Sequence, residues 1–250
     1  MNNKIIALWT HPRSVSTAFE RVMHERDDLD VLSEPFSHLY YFKEKRAKAV
    51  AYSGSDGEPG DYGDIKGKII HASEHKPVFF KDMCYHCHDH LINDDDFLKS
   101  IINTFLIRDP AKSIPSHFNI NPNATLDEMG YEKEYNILHK VVSLTGHHPL
   151  VIDAQDLIEN PRETIKKYCD FLELPFMEDC LSWEAGYKSE WNTWKGWHES
   201  VSSSRGIERI ESTYKEDILN NEKVRYYYDH HFPFYNKLSS YARSGDFRNA

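Results

Sequence analysis

The stretch Thr10-His11-Pro12-Arg13-Ser14-Val15-Ser16-Thr17 lies between a short apolar run and an amphipathic segment. A loop in that place puts backbone N–H groups and a helix dipole at one point, which makes an anion site. Set against the nucleoside-triphosphatase pattern GxxxxGK[ST], Thr10 takes the first glycine, Val15 the second, Ser16 the lysine, and Thr17 fits. A triphosphate needs that lysine to reach its outer phosphates, so its replacement by Ser16 argues against an ATPase or a kinase. Arg13, three residues earlier, supplies a cation instead. Taken alone, the stretch reads equally well as a strand-turn-helix with a serine cap and a surface arginine.

A second signal lies at Arg108-Asp109-Pro110, where another apolar run ends, with Ser116 eight residues further on. In an open parallel sheet, ligands bind outside the carboxyl ends of the strands. Arg13 and Arg108 then share one rim, and the ligand carries two separated phosphate-like groups. Two groups suited to moving a proton end other apolar runs or follow them: Glu34 in Ser33-Glu34-Pro35-Phe36, and His86, five residues after Lys81.

The elements that position these residues follow from hydrophobic periodicity. Strands are expected at 4–9, Val31-Leu32, Val78-Phe80, Asn103–Ile107 and Leu150–Ile152. Val15, Ala18, Phe19, Val22 and Met23 predict an amphipathic helix, Pro110 starts another through Phe118, and residues 127–146 show helical spacing. Asn160 with Pro161 and Glu163 predicts a capped helix whose buried stripe is Ile165, Tyr168, Cys169 and Leu172. Residues 53–67, with five glycines, read as a mobile loop that could close over a substrate, and the last 60 or so residues as irregular. Alternating strands and helices predict an α/β fold: one domain over 1–250, a three-layer P-loop-like architecture with a central parallel sheet flanked by helices.

Composition narrows the function. With 250 residues, 40% of them hydrophobic, the chain is long enough for a real core. A formal net charge of -10 argues against nucleic-acid and anionic-membrane partners. Four cysteines and an apolar run after Lys4 too short for a signal peptide predict a cytoplasmic protein with free thiols. Cys84-Tyr85-His86-Cys87-His88-Asp89-His90 lacks a second cluster at zinc spacing, so no metal is expected. The tryptophans at 183, 191, 194 and 197 read first as core packing and second as walls of a substrate pocket.

These residues resemble the sulfotransferases that use 3′-phosphoadenosine 5′-phosphosulfate (PAPS), and among them a bacterial-type, small-molecule subgroup. His11–Thr17 is similar to the family's 5′-phosphosulfate loop, and Arg108 with Ser116 to its 3′-phosphate pair in type and spacing. Phe80-Lys81-Asp82-Met83 resembles its strand-terminal lysine segment, and Asp156-Leu157, Asn160-Pro161 and Phe171-Leu172 its "EDL…nP…FL" stretch. Ser204-Arg205-Gly206 is similar, more weakly, to the basic loop that closes over the nucleotide. The chain departs from the family in carrying Val15 for a glycine and Ala154-Gln155-Asp156 where a tyrosine commonly packs on adenine.

The resemblance implies transfer of a sulfuryl group from PAPS, leaving 3′-phosphoadenosine 5′-phosphate (PAP), to a hydroxyl or amine of a small-molecule acceptor, with no metal. Arg13, Ser14, Val15, Ser16 and Thr17 then hold the 5′ end, Arg108 and Ser116 the 3′-phosphate, and Arg205 closes over both. Lys81 is placed to reach the bridging oxygen, or stands on the rim as a snorkelling lysine. Glu34 is the first choice of base and His86 the second. The rival readings are a small-molecule or nucleotide kinase and a non-catalytic nucleotide-binding protein on the same fold.

Overall fold

A computed structural model describes residues 4–53, 60–186, 188, 191, 194–208 and 220–244. Five strands, β1 (Ile5–Thr10), β2 (Asp30–Ser33), β3 (Val78–Met83), β4 (Ile102–Ile107) and β5 (Leu150–Asp153), form one sheet in the order β2-β3-β1-β4-β5. Every pairing is parallel. The carboxyl ends therefore lie along one edge, with Thr10 opposite Met83 and Leu106, and Ser33 opposite Lys81.

The two-residue period of β1 sorts its side chains to both faces. Ile6 and Leu8 join Phe19, Val22, Ile165 and Tyr168, which come from α1 (Ser16–His24) and from the helix Pro161–Leu172. Ile5, Ala7 and Trp9 join a larger core on the opposite face. That core includes Ile65 and Ile69 of α2 (Tyr62–Ser73) and Ile137 and Leu138 of the helix Tyr131–Thr145. The strands have helices on both faces, so they are largely apolar, and each fully buried Leu or Ile contributes about 1.5–3 kcal/mol.

Among the described residues, the further α-helices are α3 (His88–Leu91), α4 (Asp95–Ser100), α5 (Pro110–Ile120), α6 (Tyr131–Thr145), α7 (Ala154–Glu159), α8 (Pro161–Leu172), α9 (Lys195–Ser202) and α10 (Glu222–Ser244). Three expectations need correction. The glycine-rich segment is helical from Tyr62, because Asp61 and Asp64 form a reciprocal capping box; residues 54–59 lie outside the described part. Asn160 precedes α8 but does not cap it with its side chain; its carbonyl accepts from the Thr164 N–H at 3.0 Å. The C-terminal region holds the 23-residue α10, which buries Val224, Tyr227, His231 and Leu238 and carries Pro233 inside.

Candidate functional site

Where β1 ends, the chain makes two left-handed steps, Arg13 at φ 63° and Val15 at φ 69°, before α1 begins. A β-branched residue rarely adopts that conformation, which costs of order 1–3 kcal/mol. Val15 thus keeps the backbone that a glycine would provide, while its side chain packs beside the α1 core. The amino end of α1 has no side-chain cap and no acidic residue in its first turn. Uncapped N–H groups and the positive end of the dipole are what an anion site requires.

A cavity of about 130 Å³, open to solvent, lies in front of this helix end. Arg13, Val15, Ser16, Thr17, Glu34, His86 and Arg108 all line it, so the carboxyl ends of four strands contribute to one space. Ser14 is buried at the loop and Ser116 lies against it, its Oγ accepting from Arg13 Nε at 2.9 Å. Arg108 donates from Nη1 to the Arg13 carbonyl at 2.8 Å. Both proposed phosphate contacts therefore belong to one linked cluster of cations. Arg205 is exposed between Ser204 and Gly206, which line the cavity.

His11 explains how that cluster holds its shape, and the sequence reading missed its role. Its Nε2 accepts the Arg108 backbone N–H at 2.9 Å, which leaves Nδ1 to donate to the Pro12 carbonyl at 3.1 Å. Burial lowers its pKa to about 3, so the ring stays neutral, and it stacks on Tyr131 with centroids 3.9 Å apart. Gly130 makes this possible: its φ is +81°, and a Cβ there would come within 3.1 Å of His11 Cβ. His117 is a second unforeseen wall residue. Burial, and then the charge of Arg13, hold it near a pKa of about 3, and among the described residues neither ring nitrogen has a hydrogen-bond partner.

On the other side of the cavity, Asp82 and His86 form a pair. His86 Nδ1 lies 2.6 Å from Asp82 Oδ1, and Asp82 also accepts the N–H groups of Phe36 at 2.7 Å and Met83 at 2.8 Å. An acceptor engaged on both oxygens requires the proton on Nδ1, which leaves the Nε2 lone pair available. Among the described residues Nε2 has no hydrogen-bond partner. Burial raises the Asp82 pKa against the opposing pull of His86.

Lys81 occupies a different position from the rim site that its place at a strand end suggested. It is fully buried, with its ammonium 2.5 Å from Glu34 and 3.1 Å from Glu20, and it is not among the residues lining the cavity. The two carboxylates hold its pKa above the usual lysine value despite the burial. Trp191 donates to Glu20 at 3.1 Å and is wholly buried; Trp183 and Trp194 are also core residues, while Trp194 and Trp197 both reach the cavity. Cys84 and Cys87 are buried thiols whose pKa values burial pushes well up, the reverse of what a reactive redox thiolate needs. Among the described residues, the one group with converging ligand atoms is His71, Glu74 and His75, exposed at the end of α2 and outside the cavity.

A family model for the sulfotransferase domain matches residues 3–242. The chain belongs to the sulfotransferase domain family. Two Arabidopsis thaliana relatives are named branched-chain-amino-acid aminotransferase-like proteins 2 and 1. They are 30% identical over 215 residues (82% of this chain) and 25% identical over 248 residues (96%). The matched part is 36% and 42% of those relatives' own length, so this sulfotransferase domain corresponds to less than half of each. Among solved structures, a sulfotransferase from Alicyclobacillus acidocaldarius has 11% identity and a TM-score of 0.56, covering 100% of this chain and 97% of its own. A mouse sulfotransferase complexed with PAP has 13% identity and a TM-score of 0.51, covering 97% and 90%. The sulfotransferase domain of the Synechococcus PCC 7002 olefin synthase has 14% and 0.51, covering 88% and 93%. At these identities the likeness is one of fold.

Proposed function

We propose that this sulfotransferase domain moves the sulfuryl group of PAPS to a hydroxyl or amine of a small acceptor. One observation carries the reading: a single cavity holds an uncapped helix end with two arginines on one side and the Asp82–His86 pair on the other. The non-catalytic rival required Glu34 and His86 to lie far from the loop, and both line the loop's own cavity. The kinase rival lacks its lysine, since Ser16 stands in that place.

The residues fit the nucleotide. Arg13 and the first amides of α1 suit a 5′-phosphosulfate; Arg108 and Ser116 suit a 3′-phosphate; and His117 offers polar atoms to the same space. PAPS supplies the sulfuryl group. The acceptor oxygen forms the new bond to sulfur as the bond to the bridging phosphate oxygen breaks. His86 Nε2 takes the hydroxyl proton, and PAP leaves with its charge matched by Arg13 and the loop amides.

The geometry favours His86 over Glu34 as base. A carboxylate whose Oε1 is 2.5 Å from an ammonium is a weakened base, whereas His86 is oriented by Asp82 and has an unpartnered Nε2. Glu34 then orients the acceptor. The test is acceptor-dependent release of PAP from PAPS. His86→Asn is expected to cut kcat by roughly 10²-fold or more, as loss of a general base does, while PAP affinity stays within a few-fold. If Glu34→Gln stops turnover and His86→Asn is nearly silent, the base is Glu34. No acceptor-dependent PAP release with alcohols, phenols or amines contradicts the function.

A further inference from the structure

The two ends of the cavity differ in chemistry. The nucleotide end carries the Arg13 and Arg108 guanidinium groups. The other end is walled by Tyr41, Tyr85 and Trp194 around Glu34 and His86. Behind that wall the Lys81 ammonium is engaged by Glu20 and Glu34, and Asp82 is engaged by His86. Lys81 is fully buried and engaged with two of them, so it presents no positive charge to the cavity. The Glu34 carboxylate lines this end of the cavity, so a cationic acceptor meets a carboxylate there and an anionic one meets like charge.

The aromatic residues point the same way. The Tyr41 and Trp194 ring centroids are 5.2 Å apart, and the Tyr85 ring lies 4.5 Å from His86. The Tyr41 and Tyr85 hydroxyls are 3.0 Å apart and share one hydrogen bond, which holds both rings in place. Trp194 is held in place by its Nε1 bond to Ser37 Oγ at 3.4 Å and by Tyr52, whose centroid is 5.2 Å away. A cation resting on this wall reaches both rings within the ~6 Å over which ring quadrupoles attract it. An ammonium group, and a quaternary one above all, suits aromatic faces beside a carboxylate.

Building on the sulfotransferase reading, we propose that the acceptor is a small alcohol carrying an ammonium group, its cation held against the Tyr41–Trp194 wall beside Glu34 while its hydroxyl faces His86. The hydroxyl oxygen bonds to sulfur, the sulfur–bridging oxygen bond breaks, His86 takes the proton and PAP departs. The product is a zwitterionic sulfate ester.

The experiment compares choline with 3,3-dimethyl-1-butanol, which has the same shape with carbon in place of the charged nitrogen. With PAPS and the full chain, kcat/KM for choline is expected to exceed that of the neutral alcohol by about tenfold or more. Tyr41→Leu should bring the ratio toward one. Equal or faster turnover of the neutral alcohol overturns the inference, and this comparison within the unmodified chain does not depend on any variant folding. Calorimetry on the same samples separates the two ideas. If PAP binds but choline neither binds nor is sulfated, the acceptor class is wrong and the donor reading stands. If PAP does not bind, the sulfotransferase reading fails, and choline titrated into the nucleotide-free protein decides whether the cation site exists by itself.

Discussion

His11 Nε2 accepts the backbone N–H of Arg108 at 2.9 Å, so the loop after β1 and the end of β4 are joined by a neutral imidazole. The two arginines keep their spacing because this bond, and the Arg108–Arg13 carbonyl bond at 2.8 Å, leave neither segment free to drift. His11→Ala should leave the Arg108 N–H unsatisfied and the Tyr131 face uncovered. The expected cost is about 1–3 kcal/mol for the lost partner, read as a lower unfolding midpoint, with PAP affinity down by tenfold or more. Unchanged midpoint and PAP affinity would show that the link has no consequence.

Acid should destabilise the protein before its carboxylates titrate. Burial lowers the pKa of His11 and His117 to about 3 and that of His231 to about 4. A histidine lowered on folding is neutral in the native state and charged in the unfolded chain, so its contribution is complete above about pH 6.5 and lost as pH falls toward the native value. Near pH 5 unfolding should take up about three protons at these sites. The buried Glu134, whose pKa burial pushes well up, releases one in the opposite sense. Thermal unfolding between pH 7 and pH 5 should show a falling midpoint; a flat profile would contradict these assignments.

Lys81 should be structural before it is anything else. Removing it in Lys81→Met leaves Glu20 and Glu34 without their shared cation, one of them wholly buried. Breaking such a pair costs about 3–5 kcal/mol, roughly 6–20 °C of midpoint for a chain this size. Lys81→Met combined with Glu20→Gln should recover part of that loss. A single variant within about 2 °C of the wild type would mean that the triad is not an energetic unit.

The fold class and the strand-to-loop transitions were legible because apolar runs and helical spacing report burial directly, and Arg13 and Arg108 stood just after strand ends, where an open sheet places ligands, with Ser116 on the helix that follows. The fate of Lys81 was not legible. Its partner Glu20 sits on the buried side of α1, and a buried acid leaves no mark in hydrophobic periodicity. Asp82 and His86 stand four apart, but their contact depends on the 3₁₀ turn Cys84–His86 after β3, which no composition rule predicted. The capping pair Asp61 and Asp64 would have revealed the start of α2 among the glycines. In α10, Pro233 and the dense Tyr and His content hid a helix whose stability comes from packing Val224, Tyr227 and Leu238 on the core.

Calorimetric titration with PAP and with AMP tests the central claim most directly, because only a site built for a 3′,5′-bisphosphate separates them. Arg108 lies beside Arg13 on the cavity rim, with Ser116 bonded to Arg13 just behind it, so the extra 3′-phosphate of PAP should gain one or more charge-assisted contacts. That predicts tighter binding by about 1.5–3 kcal/mol, roughly tenfold to a hundredfold, with most of the preference lost in Arg108→Ala. Equal affinity of the unaltered protein for PAP and AMP would contradict the account.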